Sequence, residues 1–175
     1  MQFTQLSLPV ILIAVMVVTP SCSPHRAAMQ TSKPTAQEAT IAREVHRTIN
    51  NYRASQGLTR LPRHTGLERL AQGHSDYLRG KQGTFSLHGK NISHFKFKWR
   101  AQQAATHYGF SKTSENLASI KMKPDGQAHH LLILWVASEG HRENIHGDWT
   151  HSGVGTAITK DGQIIATQLF AAKVE

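Results

Sequence analysis

The order in which hydrophobic periodicities follow one another constrains this chain more than any single motif. Helical spacing dominates the first part: Ile41, Val45, Ile49 and Tyr52 recur every three to four residues, with Gly57 as a stop signal. The pattern predicts a helix over 35–56. A second is predicted over 66–79, where Leu67, Leu70, Ala71, His74, Tyr77 and Leu78 form one stripe, so that His74 points inward or to a groove edge. Residues 80–93, with Gly80, Gly83 and Gly89, read as a loop, and Phe95 to Tyr108 as a less amphipathic helix closed by Gly109. Phe110 to Ile120 lacks a helical period and is expected to contain a strand. Gln127 to Ser138 reads as one more helix, with Leu131, Leu134, Trp135 and Ser138 on one face. Two strands close the chain, 153–159 and 163–171, joined by the turn signal Asp161-Gly162. Helices early, a hairpin late and no βαβ alternation predict a single α+β domain.

The first 24 residues contain no charged side chain, and Leu8 to Val18 is nearly all apolar. So short a run cannot span a bilayer, which needs ~20 residues, but it suits the apolar core of a signal peptide over 1–22. Cys22 is the sole cysteine and falls directly after this run, which excludes a disulfide framework. It is expected to be a lipidation site that anchors the mature chain as an envelope lipoprotein. Ordinary cleavage after Ser21, giving a secreted or periplasmic protein, is the alternative. Residues 23–35 are polar, hold Pro24 and Pro34, and read as a flexible tether before a domain over 36–175.

Charge narrows the partners. Twenty Lys and Arg against eleven Asp and Glu give +9, yet the cations are dispersed; Lys96, Lys98 and Arg100 are the densest local set. No nucleic-acid signature accompanies them, so no nucleic-acid partner is expected. An anionic envelope or lipid surface accounts for the same charge in an exported protein. No P-loop, nucleotide-binding glycine fingerprint, Gly-x-Ser-x-Gly elbow or CxxC occurs. His141-x-Glu143-x-x-His146 is not a zinc-peptidase motif, because its histidines sit ~140° apart around a helix.

Several segments, in order, resemble the bacterial branch of the CAP superfamily, which groups cysteine-rich secretory, antigen 5 and pathogenesis-related 1 proteins. They are Asn50-x-x-Arg53-x-x-x-Gly57-Leu58-x-x-Leu61, the helix around Ala71, His74 and Ser75, Phe85-Ser86-x-His88, and Ser114-Glu115-Asn116-Leu117-Ala118. The most specific is Trp135-x-x-Ser138-x-Gly140-His141-Arg142-x-Asn144-Ile145, followed by Gly153-Val154-Gly155. The resemblance implies an α-β-α sandwich with a small antiparallel sheet between helical layers. It also implies a surface groove lined by His74, Glu115 and His141, with Glu139 as fourth member and His88 and Ser138 as secondary candidates. Glu139 stands one residue beyond the usual glutamate position, and shares a face with Trp135 only if the helix continues.

Two imidazoles with one or two carboxylates suit a divalent metal, Zn²⁺ by default; a metal-free cluster of hydrogen-bonded His and Glu suits the same residues. The function implied is a noncatalytic binding module for a metal, a lipid-like molecule or an envelope ligand. The alternative is a metal- or His-dependent hydrolase, protease-like, using His74 or His141 as general base.

Overall fold

The computed structural model describes residues 32–81, 94–121 and 125–173. Along them run α1 (Ala36–Ser55), α2 (Thr65–Arg79), α3 (Phe97–Tyr108), β1 (Lys112–Lys121), α4 (Gln127–Ala137), α5 (Glu139–His146), β2 (His151–Ile158) and β3 (Gln163–Ala172). A reciprocal cap starts α1: Thr35 Oγ1 accepts from Glu38 N, and Glu38 Oε2 accepts from Thr35 N. Gly109, at φ +70°, closes α3, and Gly162, at φ +76°, makes the β2–β3 hairpin possible.

The strands form one antiparallel sheet in the order β1-β3-β2. Alternation along β3 sends Ile165, Leu169 and Ala171 to one face, where α2 and α3 pack with Leu67, Leu78 and Ala104, joined by Phe110 just after α3. Ile164, Ala166 and Phe170 face the other way, against Ile41, Val45 and Ile49 of α1, Leu131 and Trp135 of α4, and Ile145 of α5. The sheet therefore lies between two helical layers, the sandwich expected. Trp135 is fully buried, as its place on the inward stripe of α4 requires.

Close backbone approach explains the Gly-Val-Gly of β2. A Cβ on Gly155 would lie 2.1 Å from Gln72 N, and one on Gly153 2.4 Å from Glu68 N, so α2 rests directly on the strand. The opening motif is equally structural. Asn50 Nδ2 donates to Leu61 O (2.9 Å) and its Oδ1 accepts from Leu61 N (2.8 Å), while Arg53 donates to Thr59 O and to Ile145 O and Gly147 O at the end of α5.

β2 is an edge strand, and side chains or neighbouring backbone cover most of its outer rungs. Ser152 exchanges bonds with Pro62 O and His64 N; Thr156 exchanges them with the Gln72 amide; Ile158 N donates to Glu38 Oε1 (2.9 Å). Glu38 is buried and also receives Arg79 Nη1 at 2.8 Å, tying α1, α2 and β2 at one seam. Ser32, within the expected tether, is hydrogen-bonded to Asp76 through both its N–H and its hydroxyl.

The helix predicted over 127–138 ends at Ala137, and Ser138 adopts an extended conformation (φ −96°, ψ 122°) before α5 begins. The residues after Ser138 form a separate helix of eight residues. Its signals were present: acidic Glu139 in the first turn, basic His146 in the last, and Gly147 after it.

Candidate functional site

The site is built around Glu115 in β1. Strand alternation turns Glu115 toward the layer of α2 and α3, opposite to Asn116, while the pairing Glu115↔Leu169 fixes its height on the sheet. Arg100 meets it from α3. That helix buries the stripe Phe97, Arg100, Ala104 and Tyr108 to differing degrees, so Arg100 is carried inward with its apolar neighbours. Arg100 Nε donates to Glu115 Oε2 (2.6 Å) and Nη2 to Oε1 (2.7 Å), a bidentate pair with both side chains at most 5% exposed. Arg100 Nη1 donates to Phe95 O (2.8 Å), which holds the chain entering α3.

His94 completes the carboxylate's shell, with Nδ1 2.8 Å from Glu115 Oε1. Glu115 accepts, so Nδ1 carries the proton and the other ring nitrogen is the one available to a visitor. The His94 side chain is 50% exposed and Glu115 only 1%, so one bond links the surface to the interior. Burial pushes the Glu115 carboxyl up; bonds from His94 and Arg100, then the charges of Arg100 and His74, outweigh it and leave the group below its ordinary 4.5.

His74 is buried on α2, within electrostatic range of Glu115, and its ring stacks on Tyr77 at 6.1 Å. Tyr77 stacks in turn on Phe95 (5.1 Å), which is 43% exposed. His141 lies in the first turn of α5, half-buried. Burial, and then the His94 charge, hold its imidazole below 6.5. Its carbonyl accepts from Asn116 Nδ2 (3.0 Å), and Asn144 donates to Glu115 O and Asn116 Oδ1, so α5 is fastened to β1 beside the carboxylate.

Thus His74 influences Glu115 directly, and His141 is coupled to the histidine that Glu115 holds. The break at Ser138 makes Glu139 the exposed first residue of α5, so it shares no continuous helix face with Trp135. Ser138 is the half-buried junction, and its carbonyl accepts from Arg142 N. His88 and Cys22 lie outside the described residues.

Sequence reasoning missed His94 and Arg100 as site residues. For Arg100 the signal was an arginine on the apolar stripe of α3; for His94 nothing local gave one.

A metal has no ready cage among the described residues, where no group of three or more His, Cys, Asp and Glu side chains is arranged to hold one. Both Glu115 oxygens are occupied by cationic or N–H donors, so a metal ion on Glu115 would have to displace a buried guanidinium. The arrangement fits a hydrogen-bonded polar cluster better than a zinc centre.

Comparison with known proteins bears on the fold. An outer surface protein from Borrelia burgdorferi superposes with a TM-score of 0.57 at 21% identity, over 81% of this chain and 97% of its own. A cysteine-rich secretory protein from Staphylococcus aureus gives 0.58 at 16% identity, and an extracellular protein containing an SCP domain from Bacillus anthracis 0.58 at 27%. Each is matched over 81% of this chain, which spans only 42% and 45% of their respective lengths. No curated protein sequence matches the chain. The family model for the cysteine-rich secretory protein family, CAP, matches residues 46–170, from the middle of α1 into β3, and the chain belongs to that family.

Proposed function

We propose that this CAP domain is an exported, noncatalytic binding module whose ligand docks at the half-exposed face of the His94–Glu115–Arg100 cluster. The observation that carries this reading is the buried guanidinium on Glu115. A carboxylate behind an imidazole strengthens it as a base only while its negative charge is free to act, and here Arg100 offsets that charge at 2.6–2.7 Å. What remains is an oriented imidazole beside an exposed aromatic ring, Phe95, stacked on Tyr77. Such a surface suits an amphiphile, its polar group on His94 and its apolar part on Phe95, a lipid-like ligand of the envelope.

Export rests on the uncharged apolar run before Cys22, and the outer surface and extracellular relatives support it. Anchoring through a lipidated Cys22 belongs to the same proposal; replacing Cys22 with alanine should then move the cleaved protein from the membrane fraction to the soluble one. The function itself is tested on the full chain, in non-ionic detergent, assayed for hydrolysis of generic peptide and ester substrates with and without added Zn²⁺. No turnover above background is expected in either condition. Hydrolysis that His94→Ala or His141→Ala abolishes would establish the hydrolase instead, and turnover restored only by Zn²⁺ would make it metal-dependent.

A further inference from the structure

A second site lies on the β2 edge of the sheet, away from Glu115. Here α1 and α2, which cover opposite faces, leave a groove of about 430 Å³ between them. Four cations line it, Lys33, Arg43, Arg63 and Arg69, against a single carboxylate, Glu68. Glu68 takes up only part of that charge: it is bonded to Arg63 Nε, which leaves the two terminal nitrogens of that guanidinium outside the bond. Arg43 donates to Thr40 Oγ1, a neutral acceptor that leaves its charge intact. Ala39, Ala42 and Val154 supply apolar wall.

Val154 adds a second, independent feature. On β2 the outward-facing rungs alternate at 152, 154, 156 and 158, since the N–H groups of Ser152, Thr156 and Ile158 all bond away from β3. Neighbouring backbone takes the rung at 152, and Gln72 and Glu38 take donors at 156 and 158. Val154 N–H and C=O have no such partner among the described residues, and they point off the edge where the groove lies. A strand edge left open for one rung, with covered rungs on both sides, has no room for an added strand. It has room for one compact polar group.

From this charge and this geometry we infer that the groove is a binding site for a phosphate ester. Three guanidinium groups and an ammonium exceed what one carboxylate ligand can engage, whereas the oxygens of a phosphate accept from two or three such donors together. The Val154 N–H supplies a further neutral donor, and the alanines accommodate the carbon part of the ester. No aromatic side chain lines the groove, so stacked nucleobases find no platform there. Phosphate esters occur both free in solution and as lipid headgroups, and the groove chemistry is the same for either.

The test uses the full chain in non-ionic detergent, titrated calorimetrically with glycerol 1-phosphate in one arm and with phosphatidylglycerol in mixed micelles in the other. Saturable binding in at least one arm is expected, and the arm that binds identifies the source. Arg43→Gln with Arg69→Gln should weaken it by at least about tenfold, the loss of two charge-assisted contacts. Lys98→Gln with Lys160→Gln removes the same charge from exposed positions elsewhere and should leave affinity within about twofold. Absence of saturable binding in both arms, equal weakening by the two double variants, or acetate binding as tightly as the phosphate ester would each overturn the proposal.

Discussion

Two buried carboxylates, Glu38 and Glu115, are each clamped by an arginine, yet they serve different ends. Glu38 receives Arg79, the Ile158 N–H and the Thr35 N–H. Two of those donors are backbone and cannot leave without unmaking a helix start or a strand edge. Glu115 receives only side chains, one of them a half-exposed imidazole; His74 lies in electrostatic range of the carboxylate and His141 in range of that imidazole. The same ion pair is a seam where its partners are backbone, and a candidate binding site where they are side chains and one of them reaches the surface. Exposure of the arginine differs as well: Arg100 is 5% exposed, Arg79 31%.

The largest expected effect separates the two arginines. Arg100→Ala leaves a buried carboxylate without its countercharge and should cost about 3–5 kcal/mol. Arg79→Ala should cost about 1 kcal/mol, because solvent screens that pair and two backbone donors remain on Glu38. Urea denaturation of both variants measures the difference; equal losses would mean that the two carboxylates are interchangeable.

Acid should expose the Glu115 side of the comparison next. His46, His64 and His141 are held below 6.5, in each case first by burial and then by neighbouring cations. The unfolded chain therefore binds more protons than the folded one as pH falls past 6.5, and stability drops in that window. Glu115, lowered from 4.5, adds a second loss that begins near that value and continues as pH falls through its folded pKa. Thermal unfolding followed from pH 7.5 to 3 should show both steps, and Glu115→Gln should remove the lower one. A flat profile above pH 5 would contradict the histidine assignments.

His94→Ala is expected to be the mildest change, about 1 kcal/mol or less, since its ring is half in water. Its signature is spectroscopic: the His141 imidazole, freed of the neighbouring charge, should titrate at higher pH by NMR. No shift would mean that the two rings do not sense each other.

How far this was readable beforehand depends on the range of each interaction. Helices α1 and α2 were legible because their apolar stripes repeat within the element, and the hairpin because Asp161-Gly162 is a local turn signal. Glu115 and His141 were named through a family resemblance, not through their own surroundings. Arg100 was passed over because its partner lies fifteen residues away across a helix-to-strand turn. The end of α4 was legible to within one residue, whereas α5 beyond it was not, because that helix buries only Ile145 and so carries no apolar stripe to repeat.

The position of β3 has a kinetic consequence. It follows every other described element along the chain yet lies at the middle of the sheet, bonded to both β1 and β2. A growing polypeptide that ends anywhere before residue 163 has helices but no sheet for them to cover. The bond from Ile158 back to Glu38 closes a span of 120 residues, so native contacts come at a high entropic cost until nearly the whole domain is available. Such a chain should stay open while it is being made or threaded through a pore, and then condense late, in one cooperative step.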